Sequence, residues 1–125
     1  MTENEISKII VDTCYRIHLE LGPGLLESVY EEILHYEFKK YGLNSSRQQA
    51  IPVIWQDINM KLGFRADLII ENKVLIEIKS VELIAQVHFK QVLTYLKLTG
   101  LKLGMLINFN EVLIKNGITR IVNKL

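Results

Sequence analysis

Phe64-Arg65-Ala66-Asp67-Leu68-Ile69-Ile70-Glu71-Asn72-Lys73-Val74-Leu75-Ile76-Glu77-Ile78-Lys79-Ser80 decides how the rest of the chain is read. Period two puts Phe64, Ala66, Leu68 and Ile70 on one face of a first strand, and Val74, Ile76 and Ile78 on the matching face of a second. A three-residue turn at Glu71-Asn72-Lys73 sets Ile70 opposite Val74 and fixes the register. Leu68 then meets Ile76 and Ala66 meets Ile78. On the other face Ile69 meets Leu75, Asp67 meets Glu77 and Arg65 meets Lys79.

The Asp67–Glu77 pair is the informative one. Like charges directly opposite each other destabilise a sheet, and both strands are apolar enough to be largely buried. A divalent cation between the carboxylates would compensate, and two carboxylates with waters suit Mg²⁺. Lys79 points the same way and can stabilise a nucleophilic water or developing phosphorane charge. The same residues also allow a plainer reading, a hairpin rim with a salt-bridge cluster among Arg65, Asp67, Glu77 and Lys79.

Asp67 followed by Glu77-Ile78-Lys79 resembles the D…(D/E)-x-K signature of the PD-(D/E)xK nuclease superfamily, with Ala66 where the family name has Pro. The resemblance implies that Asp67 and Glu77 bind Mg²⁺ and that Lys79 assists the attacking water. Asp67, Glu77 and Lys79 are thus the expected catalytic set.

Composition bounds the rest. At 125 residues the chain is expected to be one domain, 1–125, with a proper core. No apolar run approaches the ~20 residues of a membrane span. The acidic start Met1-Thr2-Glu3-Asn4-Glu5 does not suit a targeting segment, so a soluble cytoplasmic protein is expected. The one cysteine, Cys14, excludes an internal disulfide and a four-cysteine metal site. Lys and Arg number 15 against 14 Asp and Glu, a formal charge of +1. This is not the basic balance of a protein that grips nucleic acid by phosphate contacts alone. A nucleic-acid role needs a local basic patch, metal ions or a second subunit, and a homodimer is the expected assembly.

Thr2 and Glu5 have capping-box spacing. Ile6, Ile9, Ile10, Thr13, Cys14, Ile17 and Leu21 then recur as a helical stripe over Asn4 to Leu21, with Cys14 a packed thiol and His18 half-buried at the edge. Gly22-Pro23-Gly24 breaks the chain. A second helix runs from about Leu25 to Tyr41 and is closed by Gly42, with Leu26, Val29, Tyr30, Ile33, Leu34, Glu37, Phe38 and Tyr41 on one side. By itself Glu27 in the first turn suits the helix dipole, and Tyr30 suits a core. Yet Gly24-x-x-Glu27-x-x-Tyr30 also reproduces the motif of the GxxExxY family, a branch of the same superfamily. That resemblance implies that Glu27 joins the metal site, directly or through water.

Asn44 to Arg47 reads as a turn and Gln48 to Gln56 as a strand, with Pro52 marking an edge or bulge. Trp55 suits either base stacking or packing. Asp57-Ile58-Asn59 reads as the turn into the central strand from Met60. After Ser80 a short connection leads to a helix ending at Gly100. Phe89, Val92, Leu93 and Leu96 form its core stripe, and Ile84, His88, Gln91 and Tyr95 a second one. The tips of His88 and Tyr95 are either satisfied within the fold or face the carboxylates. Gln91-x-x-x-Tyr95 resembles the Q-x-x-x-Y element of exonuclease-type members, which implies nucleic-acid contact. Gln91, Tyr95, His88 and Tyr30 are the expected substrate-binding residues. A buried strand over Leu101 to Phe109, parallel to the Glu77 strand, and a last strand over Ile118 to Val122 complete the order.

The expected fold is therefore α/β (α+β). It is a restriction-endonuclease-like α-β-β-β-α-β core with a mixed central sheet and an extra N-terminal helix. The expected function is a Mg²⁺-dependent nuclease (Mn²⁺ as an alternative ion) hydrolysing phosphodiester bonds of DNA or RNA. The rivals are a catalytically silent nucleic-acid- or partner-binding module and a metal-binding regulatory protein.

Overall fold

The hairpin register follows the turn. In the computed structural model, which describes residues 1–125 except the side chains of Lys61 and Leu62, Ile70 pairs with Val74, Ile69 with Leu75 and Leu68 with Ile76. Glu71 and Asn72 turn the hairpin with φ of 54° and 52°. The elements run α1 (Glu3–Leu21), α2 (Glu27–Tyr41), β1 (Ser45–Trp55), β2 (Ile58–Ile70), β3 (Val74–Lys79), α3 (Gln86–Thr99), β4 (Leu103–Asn108) and β5 (Ile118–Val122), with a 3₁₀ turn at Ile114–Gly117 before β5. The five strands lie in sequence order. Only β3 and β4 are parallel, joined across α3; the other neighbours are antiparallel. This is the expected mixed α+β arrangement with an extra N-terminal helix.

Helices cover both faces. Ile6, Ile10, Cys14 and Ile17 of α1 and Tyr30, Leu34 and Phe38 of α2 pack against Leu68, Ile70, Val74, Ile76, Ile78, Met105 and Ile107. On the opposite face Val92 and Leu96 of α3 pack on Ile51, Ala66, Ile69, Leu75 and Leu106. With both faces covered, β4 is buried along its whole length and β3 up to its last residue. Gly104 lets α3 come close: a Cβ there would lie 2.7 Å from Val92 Cγ1.

Local expectations fare unevenly. The Thr2/Glu5 capping box forms, and Gly42 and Gly100 close their helices in left-handed conformation. Ser45 to Arg47, expected as a turn, is instead the start of β1, because it pairs with Leu68 to Ile70. β1 is an edge strand whose register shifts between Pro52 and Val53. The turn into β2 is Gln56-Asp57, with Trp55 opposite Ile58. Trp55, 64% exposed, serves no core. On α2, Leu26 and Tyr41 face solvent, whereas Glu31 is buried. His18 is buried, not half-buried, because its Nε2 meets the Glu111 carbonyl at 2.8 Å.

The alternation along β2 also breaks. Phe64 and Ala66 belong to the α3 face, while Leu68 and Ile70 belong to the α1–α2 face. The phase changes at Asp67, and there the hairpin ladder ends.

Candidate active site

Beyond Leu68 and Ile76 the expected ladder partners Ala66/Ile78 and Arg65/Lys79 do not pair. Two carboxylates occupy the gap between the strands. Asp67 Oδ2 accepts the Ile78 N–H at 2.8 Å, and Glu77 Oε1 accepts the Asp67 N–H at 3.2 Å. The side chains thus satisfy backbone donors that the parted ladder would otherwise leave unpaired.

This arrangement shapes their charge. Burial raises the pKa of Glu77 most, Asp67 beside it adds to the effect, and together they bring it to about 8, against the pull of the Asp67 N–H and Lys79. Asp67 is also raised, by burial first and by Glu31, while the Ile78 N–H, the Gln48 amide and Lys79 oppose the shift. Both groups are thus reluctant to ionise without a compensating cation. The donor set, two adjacent carboxylates, fits a hard divalent ion that keeps several waters.

Lys79 ends β3, and its charge is felt by both carboxylates. It forms no ion pair with either: among the described residues the ion pairs are Arg47–Glu31 and Arg16–Glu37. The salt-bridge cluster is therefore not what forms. Arg65 instead donates to the Gln48 carbonyl at 2.9 Å.

Tyr95 approaches from α3. Its ring stacks on Phe64 with centroids 3.4 Å apart. Burial and the facing charges of Glu77 and Asp67 hold its hydroxyl above the ordinary pKa, with Gln91 beside it opposing. Gln91 is exposed on the same side of the helix. Gln91, Tyr95 and the carboxylates thus share one side of the sheet.

The other expected site residues lie elsewhere. Tyr30 is fully buried and stacked on Phe109. Its hydroxyl donates to the Gly22 carbonyl at 2.6 Å and accepts the Leu25 N–H at 3.2 Å, so it braces the α1–α2 loop and has no surface to offer a ligand. His88 caps its own helix, Nδ1 accepting the Ala85 N–H at 3.3 Å. Glu27 accepts the Ser80 N–H at 3.2 Å, and Ser80 Oγ donates to the Leu25 carbonyl. Among the described residues no three His, Cys, Asp or Glu side chains converge as a metal cluster. Glu27 thus ties α2 to the residue that follows β3.

Sequence reading missed Glu31, Arg47 and Gln48. Glu31 Oε2 accepts from Arg47 Nε and Nη2 at 3.1 and 3.0 Å. Gln48 Nε2 donates to Glu31 Oε1 at 2.6 Å and to Asp67 Oδ1 at 3.2 Å. The available signal was spacing: Glu31 lies one helical turn after Glu27, on the same side of α2. Asn108 was missed too. Fully buried, it clamps Val81 from both sides of its amide and fixes the path of the chain after Lys79.

A family model described as the PD-(D/E)XK nuclease superfamily matches residues 4–121. No curated protein and no solved structure matches the chain.

Proposed function

The chain belongs to the PD-(D/E)XK nuclease superfamily, and from that premise we propose that it is a Mg²⁺-dependent nuclease hydrolysing phosphodiester bonds of DNA, with RNA as the second substrate class. The observation that carries this reading is the Asp67–Glu77 pair, a half-buried and a buried carboxylate aligned by each other's strand and both resisting ionisation. Mg²⁺ or Mn²⁺ held there would neutralise the pair and polarise a phosphate oxygen.

The remaining chemistry belongs to the chain. Asp67 and Glu77 present oxygens whose directions are fixed by the Ile78 and Asp67 N–H groups. Lys79 contributes positive charge without sitting on either carboxylate, which leaves it free to meet negative charge developing as water attacks phosphorus and the ester P–O bond breaks. Gln91 and Tyr95 orient the substrate strand from α3, Tyr95 being held by its stack on Phe64. Glu27 acts at one remove, through Ser80, or through a water.

Assignment to the GxxExxY branch is supported by one joint that the three motif residues build. Gly24 takes φ of 98°, Tyr30 braces the loop, and Glu27 fastens Ser80. A two-fold dimer is part of the proposal, since one small domain of formal charge +1 offers little electrostatic grip on a duplex. Sedimentation showing only monomer at micromolar concentration would remove that part.

The test is calorimetric Mn²⁺ binding beside cleavage of single-stranded, duplex and branched DNA and of RNA. Lys79→Ala should keep Mn²⁺ and lose cleavage on the order of 10²–10³-fold, whereas Glu77→Ala should lose both. If wild type with metal bound cuts nothing, and Lys79→Ala is indistinguishable from it, a silent binding module replaces the nuclease.

A further inference from the structure

Gln48 lies in the left-handed region, φ 50°, in the middle of a strand. Gln56 with Asp57, and Glu71 with Asn72, take the same conformation where hairpins turn. Gln48 turns nothing: it sits across from Asp67, between the pairs Arg47/Leu68 and Gln49/Ala66. A non-glycine residue held there is strained and persists only when its surroundings impose it.

The surroundings are polar and specific. A primary amide has two N–H groups, and this one gives them to two different carboxylates, Glu31 Oε1 and Asp67 Oδ1. The opposite amide orientation would aim an acceptor at two acceptors. Glu31 cannot move away, because it is buried and Arg47 grips its other oxygen with two N–H groups. Arg65 holds the Gln48 carbonyl. Asp67 Oδ2 is already fixed by the Ile78 N–H. Asp67 is therefore restrained at both oxygens, one by β3 and the other through Gln48 and Glu31 to Arg47.

We infer that Gln48 is a positioning residue for Asp67, its left-handed backbone placing one amide between two carboxylates so that Asp67 keeps a fixed orientation toward a cation. This rests on the nuclease reading for its effect on turnover, but not for its effect on metal affinity. Partners in the shell around metal ligands commonly contribute 10–100-fold to affinity or activity.

Two variants test it. Gln48→Gly accepts the left-handed conformation at low cost and removes the clamp. Gln48→Met keeps the reach of the side chain and removes both donors. Mn²⁺ affinity by calorimetry should fall 10–100-fold in both, and kcat should fall with it while KM for the nucleic acid holds. Gln48→Gly should fold with apo stability near wild type, so the loss cannot be assigned to unfolding. Folded variants that bind Mn²⁺ as tightly as wild type would overturn the inference, whatever their melting temperature. A wild type that binds Mn²⁺ and cleaves nothing would end the nuclease reading, yet the affinity comparison would still decide the role of Gln48. A wild type that binds no Mn²⁺ would end both.

Discussion

Asp67 and Glu77 hold each other's strand: the carboxylate of Asp67 accepts from the backbone beside Glu77 at 2.8 Å, and the carboxylate of Glu77 accepts from the backbone of Asp67 at 3.2 Å. Each acid therefore serves the fold as well as the site, and its charge state bears on stability.

The metal-free protein should lose stability as pH rises from about 4.5 to about 8. Across that window the folded state keeps a proton on Glu77 that the unfolded chain has released, since burial and Asp67 raise the folded pKa. Stability is then fully present below the unfolded value and declines through the folded one. Asp67 shifts in the same direction. Glu77→Gln should flatten the slope and leave the variant more stable than wild type at pH 8, by on the order of 2–4 kcal/mol. Urea denaturation in chelator at several pH values measures this, and an unchanged slope would refute it.

Mg²⁺ or Mn²⁺ should raise the melting temperature of wild type, because the ion binds the folded pair selectively. At a concentration of 100 times Kd the gain is about 2.7 kcal/mol. Asp67→Asn should abolish the response and leave metal-free stability near wild type, since an amide relieves the repulsion and still offers an oxygen to the Ile78 N–H but turns its nitrogen toward the Gln48 donor. A full metal response in the variant would place the ion elsewhere.

Tyr30→Phe should cost about 1–2 kcal/mol, because it removes the hydroxyl that joins the Gly22 carbonyl to the Leu25 N–H. The ring stack on Phe109 survives, so the variant folds. Its KM for nucleic acid should match wild type. A raised KM with unchanged stability would return Tyr30 to the substrate surface.

Gly104→Ala should destabilise by about 1–3 kcal/mol through overpacking. The added Cβ would meet Val92 Cγ1 at 2.7 Å, and β-branched Val92 cannot swing clear. Since α3 also carries Gln91 and Tyr95, turnover of the folded variant should fall. Denaturation beside a cleavage assay reads both, and a variant as stable and active as wild type would show that the layer yields freely.

The sequence carried the element order and the hairpin register because both rest on local signals, a three-residue turn and runs of period two. It carried the juxtaposition of Asp67 and Glu77 because a charged pair inside apolar strands stands out. The phase change at Asp67 was not legible. It arises where side chains replace ladder bonds, and no hydrophobic pattern encodes that exchange. Glu31 and Gln48 were hidden for a related reason. Their bonds join residues 16 to 19 apart, and each alone looks like an ordinary polar residue on a helix or strand. Tyr30 was misplaced because its motif spacing says that it matters without saying whether it faces in or out. The Tyr30 hydroxyl serves a loop, not a ligand.

The parted ladder also limits how this chain could drift over generations. A lineage with no further need of the chemistry could not replace Asp67 or Glu77 by an aliphatic residue without orphaning a backbone amide, a loss of about 1–3 kcal/mol each. The tolerated route out of catalysis runs through residues that keep an oxygen, Asp67→Asn and Glu77→Gln. A retired descendant would thus carry amides where its ancestor carried acids, and the outline of the site would outlast its use.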